Sequence, residues 1–374
     1  MEGLYDCECL TNAYYQCIEK MNLMAVITDK AFNIVYANAS FCDTTGYSKE
    51  EVQGVKPNIL KSNEHSVMFY DNLRMTILAG MTWRGTFKNR KKNGSLYWED
   101  ASIFPIEVDG ERMYVKTAVD VSNRQKMASE KEKDTMLASM IQTSLLPANL
   151  YNEDITIKGY YAPYENVSGD IYYWQALNDH QYCVFLADVI GHGVGSALMT
   201  TAIIALVTNL MNLNPAPDVV LGELNNRIMD LFKTKDLSQI NYFTAAYLLV
   251  DTREKMVQFS NCGHPKMYIV SNEGVEDIQE INFPVGLFAD VEFSFANYNY
   301  TNDMELLIYT DGLIEKDLDK EEEIRVLERL LEKESLSNSS EGLLENVVKD
   351  MVISDKEHIK DDVTVISVKL KAGD

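Results

Sequence analysis

Short apolar runs separated by turn residues fill the first third of the chain. Five of these runs predict strands, at residues 25–29, 33–37, 83–89, 96–106 and 113–119. Asn93-Gly94 stands between two of them, and both residues tolerate positive φ, which is typical of a tight hairpin. Residues 40–45 and 49–52 predict small helical turns, the second capped by Ser48. The pattern indicates a small antiparallel sheet with short helices.

Residues 125–146 contain neither glycine nor proline and end before Pro147. The segment begins with a charged stretch and then places Leu137, Met140, Ile141 and Leu145 at helical spacing. We therefore predict a connector helix with one apolar half. The pattern fits either a plain spacer or a signalling helix that pairs with a second copy across a dimer.

After Pro147, apolar strands at residues 182–187, 245–250, 305–309 and 363–370 alternate with helices. The helix at 219–232 is amphipathic, whereas residues 197–213 are apolar on all sides. The second segment contains three threonines and two asparagines and falls short of about 20 apolar residues, so it predicts a buried helix and not a membrane span. Strands gathered around buried helices predict a layered α+β domain.

The chain has 374 residues, which exceeds what one hydrophobic core normally serves and predicts two domains plus a connector. A formal net charge of −23 disfavours binding to nucleic acid or to an anionic membrane. Six cysteines without paired CxxC spacing argue against a disulfide framework and a zinc cage. The first ten residues do not resemble a signal peptide, so we expect a cytoplasmic protein.

Four aspartates of the second domain stand where a β-prone run meets a turn: Asp170, Asp188, Asp311 and Asp361. Carboxylates at strand ends of a rigid sheet can converge on one point. Hard oxygen ligands of this kind suit Mg²⁺ or Mn²⁺, whose charge offsets the repulsion between the carboxylates. Nearby glycines allow tight turns and let a main-chain carbonyl approach an ion.

The aspartates fall in the motifs SGD, DVIGHGVGSAL, TDGLIE and DDVT, in this order, and are accompanied by IQTSLLP, YFTAA and NCGHP. Together these motifs, over about residues 140–370, resemble the metal-dependent protein phosphatases of the protein phosphatase 2C superfamily (PPM family). The resemblance is to the bacterial branch of stage II sporulation protein E and the sigma-factor regulators. It implies an α-β-β-α sandwich and hydrolysis of phosphoserine or phosphothreonine by water activated between two Mn²⁺ or Mg²⁺ ions.

The resemblance also implies the roles of the site residues. Asp188 would bridge the two ions, the carbonyl of Val189 and Asp170 would serve the first ion, and Asp311 and Asp361 would hold the second. Asp362 is an alternative to its neighbour. His192 is a candidate proton donor to the leaving serine oxygen, whereas a structural role is favoured for His264.

Three residues depart from the pattern of this branch. Tyr173 stands where a second aspartate is frequent, Ser168 where glycine is usual, and Ile190 where serine is usual. These departures put the binding of the first metal ion in question. Tyr173 supports an alternative function as a non-catalytic sensor and scaffold. Because all four main aspartates are present, we expect an active enzyme.

The N-terminal part contains the segments ITD, IVYANASF, TGYSKEE, WRG, NRKKNGS and DVS. Together these segments resemble a PAS domain, which implies a five-stranded antiparallel sheet with flanking helices. The expected domains are therefore a PAS sensor at 12–122, a connector helix at 123–147 and a phosphatase at 148–372.

A PAS domain of this kind can hold a ligand, for which Trp83 and Asn38 are candidate contacts and FAD is a candidate cofactor, although a core that is empty or holds a small ligand is favoured. A cysteine-based flavin photosensor is disfavoured because residues 57–61 contain no cysteine. His65 as a haem ligand is disfavoured, since one histidine in a polar stretch is usually a surface residue. The expected partners are a phosphorylated regulatory protein, by analogy an anti-anti-sigma factor, and a second copy of the chain paired through the PAS domain and the connector helix.

Overall fold

The computed structural model describes residues 7–191, 193–231, 242–278, 282–315, 320–336, 342–354 and 359–373, with side chains from residue 10 onward. The chain forms two compact units, Met1–Glu132 and Lys133–Asp374. The division between them falls inside the predicted connector at 123–147. Each unit is described separately below.

The first unit is a five-stranded antiparallel sheet with helices packed on it, as predicted. Its elements are α1 (Cys7–Lys20), β1 (Met24–Thr28), β2 (Ile34–Ala37), α2 (Ala39–Thr45), α3 (Lys49–Val52), a 3-10 turn (Pro57–Leu60), α4 (Val67–Leu78), β3 (Trp83–Arg90), β4 (Leu96–Val108) and β5 (Glu111–Asp120). The strand order is β2-β1-β5-β4-β3. Its core contains Ile34, Phe41, Ile77 and Tyr97, contributed by both sheet and helices.

Local sequence signals explain the short helices of this unit. The Asn38 side chain caps α2 by accepting from the Phe41 amide, and Gly46 ends the helix in the left-handed conformation. Ser48 and Glu51 form a reciprocal capping box at the start of α3. These caps satisfy amides that a short helix would otherwise leave unpaired.

Helix α5 (Ser122–Ser144) is continuous across the division between the two units. It begins three residues earlier than the 125–146 pattern indicates and ends before Pro147, which cannot continue a helix. The predicted connector helix is therefore present.

The second unit contains two antiparallel sheets. Its first elements are β6 (Leu150–Tyr151), β7 (Ile155–Ala162), β8 (Asp170–Ala176), β9 (Gln181–Val189), α6 (Val194–Leu213), α7 (Pro217–Leu231) and β10 (Phe243–Asp251). The remaining elements are β11 (Met256–Cys262), β12 (Met267–Ser271), β13 (Gly274–Ile278), β14 (Ala296–Asn299), β15 (Met304–Tyr309), a 3-10 turn (Asp311–Leu313), α8 (Lys320–Ser335), α9 (Leu343–Val347), a π-helical turn (Val348–Ile353) and β16 (Val363–Leu370).

The two sheets have the strand orders β14-β11-β10-β9-β8 and β13-β12-β15-β16-β7-β6. Side chains from both sheets, including Leu186, Leu248, Ile308 and Ile366, form one buried core between them. A second core joins the first sheet to α6 and α7, and a third joins the other sheet to α8 and α9. Three cores between four layers make the α-β-β-α sandwich that the resemblance implies.

Helix α6 is apolar because it covers the first sheet. Ile203, Val207 and Met211 are fully buried, and the helix packs on strands β8 and β9. In the part of the chain that is described, α6 is the one helix long and apolar enough to cross a membrane, and half of its most apolar window is buried inside the protein. The predicted buried helix at 197–213 is thus confirmed, with its start at Val194.

Candidate functional site

The sandwich brings together aspartates from both of its sheets. Asp170 opens β8, and Asp188 lies opposite it near the end of the neighbouring strand β9. From the other sheet, Asp311 opens the 3-10 turn that follows β15, and Asp361 precedes β16. The Thr310 hydroxyl joins the two sheets, because it donates to Asp170 Oδ2 at 2.7 Å and accepts from the Thr364 amide at 2.9 Å.

These carboxylates raise one another's pKa values. Burial raises the pKa of Asp188, and repulsion from Asp311 and Asp361 raises it further. The pKa of Asp311 is raised by burial, then by Glu315 and Asp361. The pKa of Asp170 is raised by burial and by Asp188, against the hydrogen bond from Thr310. Buried carboxylates that repel each other need a neutralising charge to remain ionised.

The chemistry of this donor set fits hard divalent cations. All the candidate side-chain donors are carboxylate oxygens, which suit Mg²⁺ or Mn²⁺ better than metals that prefer nitrogen or sulfur. Within the described residues, no three histidine, cysteine, aspartate or glutamate side chains lie close enough together to hold one ion. The structure therefore brings the predicted ligands to one end of the sandwich without arranging three of them around one point.

Two glycines allow the loops of the site to pack closely. A Cβ at Gly169 would lie 2.7 Å from the carbonyl oxygens of both Val189 and Gly191. A Cβ at Gly312 would lie 2.0 Å from the carbonyl oxygen of Asp362. The SGD loop therefore lies against the carbonyl of Val189, the predicted main-chain ligand. The TDG loop packs against the main chain of the DDVT loop.

Asp361 and Asp362 have different surroundings. Asp362 is 3% exposed, and its two carboxylate oxygens accept from the amides of Tyr164 and Gly169 at 2.8 and 2.7 Å. Asp361 is exposed, and its Oδ1 accepts from the Asp362 amide at 2.8 Å. Asp362 thus fixes the loop before Asp170 through both of its carboxylate oxygens.

Gln142 is a site residue that the sequence analysis did not single out. This side chain near the end of α5 is 2% exposed. Its Nε2 donates to the Ser168 carbonyl at 2.7 Å and to Thr200 Oγ1 at 2.8 Å, and its Oε1 accepts from the Ser168 amide at 3.1 Å. The only sequence signal was its place in the IQTSLLP motif. Gln142 links the connector helix to the SGD loop and to α6.

Two of the three departures from the family pattern have simple structural explanations, those at Tyr173 and Ser168. Tyr173 packs its half-buried side chain against the core beneath α6 and α7. Ser168 accepts a hydrogen bond from the Asp170 amide at 2.9 Å, so it holds the loop as a turn residue. Ile190 is 40% exposed and follows the site strand β9.

His264 has the structural role that the sequence favoured. It is 4% exposed, its amide donates to Asn261 Oδ1 at 2.8 Å, and its Nδ1 lies 2.9 Å from Thr244 Oγ1. Burial lowers the pKa of the His264 imidazole to about 3, which keeps the ring neutral at ordinary pH. The proposed proton donor His192 lies outside the described residues.

The two ligand candidates of the first unit are engaged by the protein itself. Asn38 is fully buried, and its amide bonds the main chain at Ile18, Leu23, Ala25 and Phe41. The Trp83 indole donates to Asn72 Oδ1 at 3.0 Å and packs against aromatic neighbours. His65 Nε2 accepts from the Lys88 amide at 2.7 Å, so this nitrogen is already occupied.

Comparisons with known proteins agree with both halves of this architecture. The sequence profile described as "PAS domain" matches residues 22–123, and the profile described as "Stage II sporulation protein E (SpoIIE)" matches residues 178–371. Phosphoserine phosphatase RsbP of Bacillus subtilis (strain 168) is 31% identical over 185 residues, which cover 49% of this chain and 46% of RsbP. The chain thus aligns with about half of that relative.

Two further proteins are each similar to one part of the chain. The nitrogen fixation regulatory protein of Klebsiella oxytoca is 32% identical over 93 residues, which cover 25% of this chain and 19% of that protein. The solved structure of the SiaA-PP2C domain of Pseudomonas aeruginosa superposes with a TM-score of 0.55 and 19% identity, over 67% of this chain and 99% of that domain. The second unit thus has the protein phosphatase 2C fold. The SpoIIE profile matches more than half of the residues of the whole chain, and the PAS profile matches residues that precede this match. The chain therefore belongs to the SpoIIE family and carries an N-terminal PAS domain.

Proposed function

We propose that this chain is a metal-dependent protein serine/threonine phosphatase that hydrolyses phosphoserine on a regulatory protein. The observation that carries the proposal is the meeting of Asp170 and Asp188 from one sheet with Asp311 and Asp361 from the other. The printed name of RsbP as a phosphoserine phosphatase supports the same activity. An anti-anti-sigma factor is the proposed substrate, by analogy with the sigma-factor-regulator branch.

The proposed ligand set follows the resemblance. Asp188 would contact both ions, Asp170 and the Val189 carbonyl would serve the first, and Asp311 and Asp361 the second. When bound, two Mn²⁺ or Mg²⁺ ions would lower the pKa of the attacking water and neutralise charge on the phosphoryl oxygens. Thr310 holds Asp170 in place, and the main-chain contact at Gly312 holds the Asp311 and Asp361 loops together.

A peptide assay tests this activity. We expect the purified full chain to release phosphate from a phosphoserine peptide with Mn²⁺ and to stop when a chelator removes the metal. Asp188→Asn should slow hydrolysis at least about a hundredfold, since metal ions supply several kcal/mol of charge stabilisation. Asp290→Asn is the matched control, because Asp290 is exposed and its left-handed backbone also suits asparagine.

The same assay separates this proposal from the non-catalytic scaffold. Full-length protein and a variant lacking the PAS domain would both leave the phosphopeptide intact if the second unit only binds partners. Metal-dependent release of phosphate from either would exclude the scaffold.

We propose that the PAS domain controls this activity through α5, in a cytoplasmic homodimer. The contacts of Gln142 with Ser168 and Thr200 give the connector helix a direct link to the SGD loop. The apolar side chains of α5 available for pairing are mostly exposed: Met127, Met136, Leu137, Met140 and Ile141. Leu137 and Ile141 lie one helical turn apart, as on a pairing face.

Dimerisation through α5 can be measured directly. Light scattering after gel filtration should give the mass of two chains for the wild type and of one chain for Leu137→Glu, because a charge at this position opposes pairing. Lys126→Glu, on an exposed part of the same helix, is the control and should remain dimeric. A monomeric wild type would contradict the proposal.

A further inference from the structure

Exposed apolar side chains border the aspartate site of the second unit. Ile190 directly follows the last residue of β9, whose carbonyl is the proposed main-chain ligand. Val194 and Leu198 occupy exposed positions at the start of α6, one helical turn apart. The Cβ of Ser196, in the first turn of α6, lies 3.6 Å from the position of a Cβ at Gly169. The exposed start of α6 therefore adjoins the SGD loop.

Two exposed phenylalanines lie at the same end of the sheet that contains β9. The rings of Phe283 and Phe288 pack edge to face, with their centroids 5.3 Å apart. They flank Val285, which pairs with Phe243, and Phe243 pairs in turn with Val189. Two strand spacings, about 10 Å, therefore separate the main chain beside the phenylalanines from the proposed main-chain ligand.

The loop that carries the two rings is held by α7. Asn225 of this helix is buried, its Nδ2 donates to the Phe288 carbonyl at 3.1 Å, and its Oδ1 accepts from the Gly286 amide at 2.7 Å. The loop is thus fixed while both rings remain exposed. Aromatic side chains on a fixed main chain offer a partner apolar area without the entropy cost of ordering a loop.

Five residues together form what we call the rim patch: Ile190, Val194, Leu198, Phe283 and Phe288. An exposed apolar patch marks a surface that another molecule covers. The place of the patch identifies this molecule, because a protein whose phosphoserine enters the aspartate site lies against the border of that site. Attraction between net charges does not bring such a protein to the chain, since the chain carries −23 and a phosphoryl group is also negative. Apolar contact can supply that affinity instead.

We propose that the rim patch docks the substrate protein through apolar side chains close to its phosphoserine. This inference rests on the proposed phosphatase activity and states what the substrate carries beside the phosphoryl group. An extended segment advances about 3.3 Å per residue, so side chains two and four positions from the phosphoserine lie about 7 and 13 Å away, on one face of the segment. These distances bracket the separation of about 10 Å across the site end of the sheet.

Two synthetic phosphoserine peptides test the docking. They carry leucine or glutamine at the second and fourth positions on both sides of the phosphoserine and are otherwise identical. With Mn²⁺, we expect the full chain to hydrolyse the leucine peptide with a kcat/KM at least about tenfold higher, because burial of one leucine side chain contributes about this factor or more. Equal kcat/KM for the two peptides would overturn the docking and leave the phosphatase activity established. Hydrolysis of neither peptide would overturn the activity and this inference with it.

Variants of exposed residues place the docking on the rim patch. Leu198→Ser with Phe283→Ser should lose the preference for the leucine peptide. Leu213→Ser is the matched control and should keep it, because Leu213 is 72% exposed, Leu198 is 66% exposed, and the two lie on the same helix about 22 Å apart. A double variant with the wild-type preference, or one that loses hydrolysis of both peptides equally, would overturn the proposal.

Two further measurements on the double variant complete the test. Its thermal unfolding should match that of the wild type, because both replaced side chains are exposed. Light scattering after gel filtration should give the wild-type mass. A lower mass would assign the rim patch to a second copy of the chain and overturn the proposal.

Discussion

Replacing Gln142 with leucine tests whether the connector helix holds the SGD loop. The buried amide makes three hydrogen bonds, two to the main chain of Ser168 and one to Thr200. Leucine has a similar size, but it leaves the Ser168 amide and carbonyl without these partners. At about 0.5–1.5 kcal/mol for each of the three bonds, the change should lower the free energy of unfolding of the second unit by about 1.5–4.5 kcal/mol.

Pulsed hydrogen exchange in urea, read by mass spectrometry, measures this loss for peptides of the second unit alone. That choice matters because a chain with two units does not unfold in one step. Hydrolysis of the phosphoserine peptide should also slow, since Ser168 precedes Gly169 and Asp170. Gln125→Leu, at an exposed position of the same helix, should change neither quantity. A Gln142→Leu protein with wild-type unfolding and wild-type hydrolysis would refute the reasoning.

Three further changes test other parts of the site. Gly312→Ala should destabilise the second unit by more than about 1 kcal/mol, because the added Cβ would collide with the Asp362 carbonyl oxygen. Gly222→Ala, on α7 where the added Cβ meets no other atom, should stabilise the unit by up to about 1 kcal/mol. Thermal unfolding measures both changes. Asp362→Asn leaves one acceptor oxygen where the carboxylate has two, so the amide of Tyr164 or of Gly169 should exchange its hydrogen faster, and unchanged exchange at both would count against the anchoring role of Asp362. Because the pKa of His264 is low in the folded chain, the unfolded chain binds a proton at this side chain at a pH where the folded chain does not. The free energy of unfolding should therefore fall as the pH drops from about 6.5 towards about 3. His264→Gln should remove this part of the pH dependence of the urea midpoint, and an identical pH profile would contradict the assignment.

The sequence predicted the elements that depend on local pattern. The strands of the PAS domain, the connector helix and the apolar helix α6 follow from hydrophobic periodicity and from capping residues such as Ser48. The pairing of strands into two facing sheets came from the family resemblance, because periodicity does not specify which strands are neighbours.

The supporting residues of the site could not be found in the same way. Gln142 and Asp362 act through bonds to main-chain groups that lie far away in the sequence, at Ser168 and Gly169. Such partners are visible only once the chain is folded. The same limit applies to Asn38, a ligand candidate in the sequence, because the sequence does not reveal that main-chain groups already satisfy its amide.

The central claim is that carboxylates of two sheets hold divalent cations, and equilibrium binding of Mn²⁺ to the full chain tests it most directly. Calorimetry should detect two sites per chain in the wild type and in the Asp290→Asn control. Asp188→Asn should lose both sites, because Asp188 is the proposed contact of both ions. Wild-type Mn²⁺ binding in the Asp188→Asn protein would contradict the account.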